Sequence, residues 1–282
     1  MLHVSILYED KDVLVINKPA GLVVHADGRT TEPTLVDWIL EHYPKIKEVG
    51  EPLKVDSRFK IQDSGEGKAQ GVPDSIPESK ILNPESVIYR PGIVHRIDRD
   101  TSGALVIAKN QKTFLFLKQQ FQDREVEKSY RAFVYGVVKA DEGVIDRPIS
   151  RSRKDFRMWS AQRGGKGAER EAVTEYKVLA RIPVAAGKIG GDSEGFSFLE
   201  LKPKTGRTHQ IRVHLKAINH PVVCDTLYAP KREAAFGFTR LALHAFSIKF
   251  ILPKGKQVSV EAPYPKDFIN ALEQIGLALK SA

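Results

Sequence analysis

The apolar residues of this chain come in short runs. Residues 13–17 read VLVIN and residues 104–109 read ALVIAK. Runs of that length are too short for ordinary helices and suit strands buried on both faces. The first follows an acidic turn and ends in Lys18-Pro19-Ala20-Gly21, a tight-loop signal. Further strand patterns fall at 128–138 (KSYRAFVYGVV), 172–181, 196–202, 243–252 and 257–262. Helical spacing is confined to a few stretches. Thr34 and Asp37 have capping-box spacing ahead of Leu35, Trp38, Ile39 and His42, and Pro44 marks the stop. Phe114, Leu117, Lys118 and Phe121 recur over 112–122, Ile211, Leu215 and Ile218 over 209–218, and a terminal helix starts near Lys266. The pattern is mixed α and β, with no internal repeat of 20–50 residues.

A length of 282 residues allows one large or two modest domains with a sizeable core. Residues 45–90 break the pattern: they hold eight charges of each sign, frequent glycines and prolines, and no apolar period. They read as a long inserted polar loop, expected to be weakly ordered. A single cysteine, Cys224, excludes an intramolecular disulfide and a thiolate-rich zinc site, and fits a reducing compartment. The first residues lack a basic segment followed by an apolar core, and no stretch approaches the ~18 apolar residues of a membrane span. The expectation is a soluble, cytoplasmic monomer that does not meet a membrane.

Lys and Arg number 44 against 35 Asp and Glu, and the resulting +9 attracts a polyanion. The excess is local. Residues 147–170 hold eight basic side chains, among them Arg151, Arg153 and Arg157, against Asp155 and Glu169; residues 202–216 hold five and no acid. Phe156 and Trp159, interleaved with the arginines, offer stacking surfaces for unpaired bases, which favours RNA over duplex DNA.

Several catalytic patterns fail on context. Residues 191–195 (GDSEG) fit G-x-S-x-G, but a Gly-rich turn leading into a strand is not the strand-to-helix elbow a serine nucleophile needs. Residues 57–60 (SRFK) and 204–206 (KTG) fit two penicillin-enzyme motifs without the third. His95-Arg96-Ile97-Asp98 is spaced wrongly for a kinase loop, and no Walker A or H-E-x-x-H is present. His209 and His214 lie about 140° apart around a helix and do not converge on one metal. Nothing calls for a metal or a cofactor.

Three polar segments survive: residues 95–103 (HRIDRDTSG), 128–132 (KSYRA) and 205–215 (TGRTHQIRVHL), each beside a buried strand or helix. A carboxylate in such a setting costs free energy unless a cation partners it. Arg212, next to inward-facing Ile211, is the candidate partner. Together these segments resemble the signatures of the RluA-type RNA pseudouridine synthases, and within them the RluD-like branch. HRIDRDTSG is similar to the catalytic signature HRLDxxTSG, with Ile97 a volume-conserving change. KSYRA resembles the K-x-Y-x-A strand, and TGRTHQIRVHL the third motif. The opening ILYEDKDVLVINKPAGLVVH and the later PVVCDTLY, ALHAFSI and EAPYP extend the likeness over nearly the whole chain.

The resemblance implies an α+β pseudouridine synthase fold: one catalytic domain over residues 1–282, a mixed, largely antiparallel sheet flanked by helices. Many relatives carry a small S4-like RNA-binding domain ahead of it, whereas this sequence starts at the catalytic domain. It further implies a cofactor-free isomerase that breaks the N1–C1′ bond of a uridine, turns the uracil and rejoins it through C5. Asp98 matches the essential aspartate, acting as nucleophile or as base, and Arg212 the arginine paired with it. Tyr130 matches the tyrosine that stacks on the uracil, and Arg96 the residue that fills the space left by the extruded nucleotide. His95, Thr205, Arg207, His209 and Gln210 fall among RNA or scaffold contacts. The implied partner is structured RNA, ribosomal ahead of transfer RNA.

Overall fold

A computed structural model describes residues 3–25, 32–53, 88–153, 155, 157–162, 165–183 and 195–277. The chain enters through β1 (Ser5–Glu9) and β2 (Val13–Lys18), then α1 (Leu35–His42). A pair of two-residue strands, β3 (Pro52–Leu53) and β4 (Ile88–Tyr89), precedes β5 (Ser102–Ala108), α2 (Gln111–Gln122) and β6 (Glu127–Tyr135). Next come β7 (Glu142–Asp146) and three short strands, β8 (Ile149–Arg151), β9 (Trp159–Ser160) and β10 (Lys166–Arg170). The remainder is β11 (Val173–Ile182), β12 (Phe196–Pro203), α3 (Gln210–Ala217), β13 (Leu243–Ile251), β14 (Gln257–Glu261) and α4 (Lys266–Gln274).

Nine strands form one sheet in the order β1-β2-β5-β13-β6-β12-β11-β7, with β14 also on β13. β5 and β13 pair in parallel and the other ladders of this sheet are antiparallel, the mixed, largely antiparallel sheet expected. The apolar runs of β2 and β5 lie against each other from Val13↔Ala108 to Lys18↔Gly103, and Leu14, Val15, Leu105 and Val106 are fully buried. Complete burial of each such side chain stabilises by roughly 1.5–3 kcal/mol. Gly103 is required where β5 meets β13: its φ is +115°, and an added Cβ would stand 2.2 Å from the Ala245 carbonyl oxygen. The loop carrying Asp98 is therefore delivered directly onto the middle of the sheet.

Two cores flank that middle. One gathers β2, β5, α1 and the inner side of β14; the other gathers β6, β12, α3 and α4. Tyr130 on β6 packs against both. The capping box of α1 forms as expected, with Thr34 N–H donating to Asp37 at 2.7 Å and Asp37 N–H to the Thr34 hydroxyl at 3.4 Å. No described helix is long and apolar enough to cross a membrane.

One expectation changes. The loop expected over 45–90 is narrower than its composition suggests: a 3-10 turn at Pro44–Ile46 follows α1, Ile46 and Val49 enter the core, and β3 pairs with β4 at the neck. Residues 54–87 lie outside the described residues, as do 191–194 of GDSEG and all of SRFK. The basic stretch 147–170 also holds short strands. β10, β8 and β9 form their own three-stranded sheet, and Ile149, Ala172, Val213 and Tyr228 make a small core that seats it on α3.

Candidate active site

The loop before β5, the strand β6 and the segment leading into α3 converge on a cleft of about 590 Å³. Asp98, Tyr130 and Arg212, far apart in sequence, all line it. Arg212 Nη1 donates to Asp98 Oδ2 at 3.0 Å, joining residues 114 positions apart. Its remaining face donates to Asp225, Nε to Oδ2 and Nη2 to Oδ1, both at 2.8 Å. Asp225 is fully buried and also accepts from the backbone N–H groups of Leu227 and Tyr228. Burial alone would weaken the Arg212 charge, but Asp225 and then Asp98 more than compensate and raise its pKa. One buried carboxylate thus locks the guanidinium, and the guanidinium aims the other carboxylate into the cleft.

Tyr228 completes the support. Its ring lies 5.0 Å from the Arg212 guanidinium, and its hydroxyl accepts from Trp159 N–H at 3.0 Å and lies 3.0 Å from His209 Nδ1. Burial pushes its pKa up to about 12. His209 takes a left-handed conformation, φ 55°, just before α3, so its ring returns toward Tyr228 instead of continuing along the helix. Tyr130 enters from β6; burial, and secondarily the Asp98 carboxylate, raises its pKa and keeps the phenol protonated.

The other expected contacts divide into two groups. His95 Nε2 accepts the Val106 N–H at 3.0 Å and its ring stacks on Phe121 at 4.7 Å. Desolvation pushes its pKa down to about 3, aided by Lys128, so this histidine is a neutral brace between the loop and β5. Thr205 donates to Gln210 Oε1 at 2.7 Å, and Gln210 in turn holds the Val173 carbonyl and Thr174. Both are buried and have their polar groups engaged inside the protein. Arg207 lines the cleft with Nε on the Glu171 carbonyl. Arg96 is exposed at the cleft and makes no hydrogen bond or ion pair among the described residues.

Arg151, Arg153 and Arg157 lie outside the cleft, on the small three-stranded sheet and its connecting loop. Arg151 stacks on Trp159 at 4.4 Å, Arg157 is chelated by Asp155, and Arg153 is exposed. Phe156 falls outside the described residues. Sequence reasoning missed Asp225, Tyr228 and the cleft residues contributed by α2. Asp225 carried a usable signal: an acid within PVVCDTLY, among apolar neighbours, needs a partner once buried.

A basic cleft with one carboxylate aimed into it is built for chemistry on a polyanion, and comparison with known proteins specifies which. The RNA pseudouridylate synthase family matches residues 12–217, and the chain belongs to that family. It is an isomerase that converts uridine to pseudouridine in RNA. The chain is 35% identical to the uncharacterized RNA pseudouridine synthase YlyB of Bacillus subtilis, across 97% of this chain and 73% of that one. It is 34% identical to the ribosomal large subunit pseudouridine synthase D of Zymomonas mobilis, across 94% and 71%. Its fold is similar to that of human RNA pseudouridylate synthase domain containing 1, with a TM-score of 0.63 over 94% of this chain and 84% of that one at 24% identity.

Proposed function

We propose that this single catalytic domain uses Asp98 to open the N1–C1′ bond of a uridine in ribosomal RNA, without a cofactor. The observation that carries the reading is the 3.0 Å contact by which Arg212, itself clamped by Asp225, aims Asp98 into a cleft shared with Tyr130. Attack at C1′ and abstraction of a sugar proton both need a carboxylate whose position does not relax as charge moves, and a guanidinium clamped on two sides provides that. Tyr130, protonated and packed between the two cores, offers a face for the uracil and a hydroxyl for proton transfer at C5. Arg96, exposed and without a hydrogen bond or ion pair among the described residues, occupies the gap in the RNA stack when the nucleotide turns out. Arg207 and the arginines of the small sheet add phosphate contacts. His95, His209, Thr205 and Gln210 hold the walls. Ribosomal RNA is preferred to transfer RNA because relatives matched along most of this chain are named for the large ribosomal subunit.

The test is pseudouridine mapping of total RNA from cells with and without the gene, complemented by wild type or Asp98→Asn. Loss of a large-subunit site that only wild type restores is expected. A lost site in transfer RNA would overturn the choice of RNA, and restoration by Asp98→Asn would overturn the role of Asp98.

A further inference from the structure

The cations lining the cleft are not equivalent. Lys118 pairs with Glu51, Arg124 with both carboxylate oxygens of Glu171, and Lys204 with Glu175. Arg212 is held by its two aspartates, and Arg207 donates to a carbonyl. Lys128 differs. It lines the cleft and has no hydrogen bond or ion pair among the described residues; its ammonium stands 5.9 Å from the centre of the Phe121 ring. Burial pushes its pKa down to about 8, with no carboxylate opposing the shift. Asp98, the one acid among the cleft's described lining residues, is already engaged by Arg212.

A cation partly withdrawn from water without a counterion is disfavoured unless an anion arrives to meet it. Strand geometry determines where that anion would be. Side chains two apart on β6 share a face, so Lys128 stands beside Tyr130, about 7 Å along the strand. Ser129 and Arg131 take the opposite face, where both bond Glu200. A compact ammonium suits a single anionic oxygen, whereas guanidinium suits a planar pair.

We propose that Lys128 binds a backbone phosphate of the RNA, at the target nucleotide or its immediate neighbour. The subsite rests on the reading that the cleft holds the target uridine against Tyr130. Binding there would neutralise the half-buried ammonium and locate the sugar beside Asp98.

The test compares wild type, Lys128→Gln and Lys128→Arg on in vitro transcribed large-subunit ribosomal RNA, measuring pseudouridine formation and the salt dependence of binding. Lys128→Gln should raise KM about tenfold, more than it lowers kcat, and flatten the plot of log Kd against log salt by about 0.7, the share of one single-strand phosphate contact. Lys128→Arg should restore most of the slope. A Lys128→Gln protein with an unchanged salt slope, or one that loses kcat alone, would overturn the phosphate role; a lowered melting temperature with an unchanged slope would reduce Lys128 to a brace on Phe121. Methylphosphonate linkages flanking the target uridine give a check without any protein variant: neutralising the bound phosphate should weaken wild type about tenfold and Lys128→Gln hardly at all. Equal weakening of both proteins would overturn the proposal. Failure of the Asp98 reading is recognised separately, because it would show as turnover by Asp98→Asn with the Lys128 results intact.

Discussion

The floor of the cleft and the small three-stranded sheet beside it use the same side chains to opposite ends. In the floor, Arg212 is 11% exposed and bonded on two sides to Asp98 and to the fully buried Asp225. Beside the small sheet, Arg157 is 66% exposed and, among the described residues, pairs with its near neighbour Asp155, while Arg153 stands in solvent. An ion pair in the first setting is strongly coupled to folding, because removing one partner strands a buried charge; in the second, water and salt replace the partner at little cost. The floor should therefore answer to mutation and acid, and the small sheet to ionic strength.

Asp225→Ala should break the floor. It leaves the Arg212 guanidinium half satisfied and two backbone N–H groups without their acceptor, so a loss of about 3–5 kcal/mol is expected in chemical denaturation, with turnover falling too. A loss below about 1 kcal/mol would mean that Arg212 is held mainly by Asp98 and water.

Acid should act on the same region. His95 at about 3 and His244 at about 4 both lie below the ordinary histidine value, chiefly through burial. An unfolded chain takes up their protons near pH 6.5, while the folded one resists until near those lower values. Their contribution is thus complete above about pH 6.5 and lost as pH falls toward 3–4. The melting temperature should fall from pH 7 to pH 5, and His95→Gln should reduce that fall. An equal fall in the variant would place the acid sensitivity elsewhere.

Tyr228→Phe tests the joint between the two regions. Its hydroxyl receives Trp159 N–H from the small sheet, while its ring supports Arg212. Removing that acceptor should cost about 1–3 kcal/mol. Amide exchange should rise first over residues 147–170; a uniform rise over the whole chain would mean that the small sheet is not separately seated.

The smallest effect on stability belongs to Arg151, Arg153 and Arg157. Changing all three to Gln should shift stability by no more than about 0.5 kcal/mol at each site, yet lower the salt slope of RNA binding by up to about 2. An unchanged slope would show that this surface faces away from RNA.

Local pattern made much of the architecture legible. The runs at 13–17 and 104–109, the capping box at Thr34 and the spacing over 112–122 each appear as elements within a residue or two of expectation. β7, β8, β9 and β10 were missed because strands this short or this exposed carry little apolar alternation; every residue of β10 is exposed. Ile46 and Val49 were assigned to a loop because two apolar residues in a polar stretch make no period, and only their contact with the core reveals them.

The sequence by itself determined the elements with a period, the motifs and the need of Asp98, a carboxylate beside a buried strand, for a cation, with Arg212 as the candidate. Only the tertiary structure decided that Asp225 would share Arg212, that Tyr228 would join the small sheet to the floor, and that Lys128 would line the cleft with no hydrogen bond or ion pair among the described residues. The reason is range. A period reflects backbone geometry within a few residues, whereas the strength of a charge pair depends on separation and burial, and strand order sets both for residues as distant as Asp98 and Arg212.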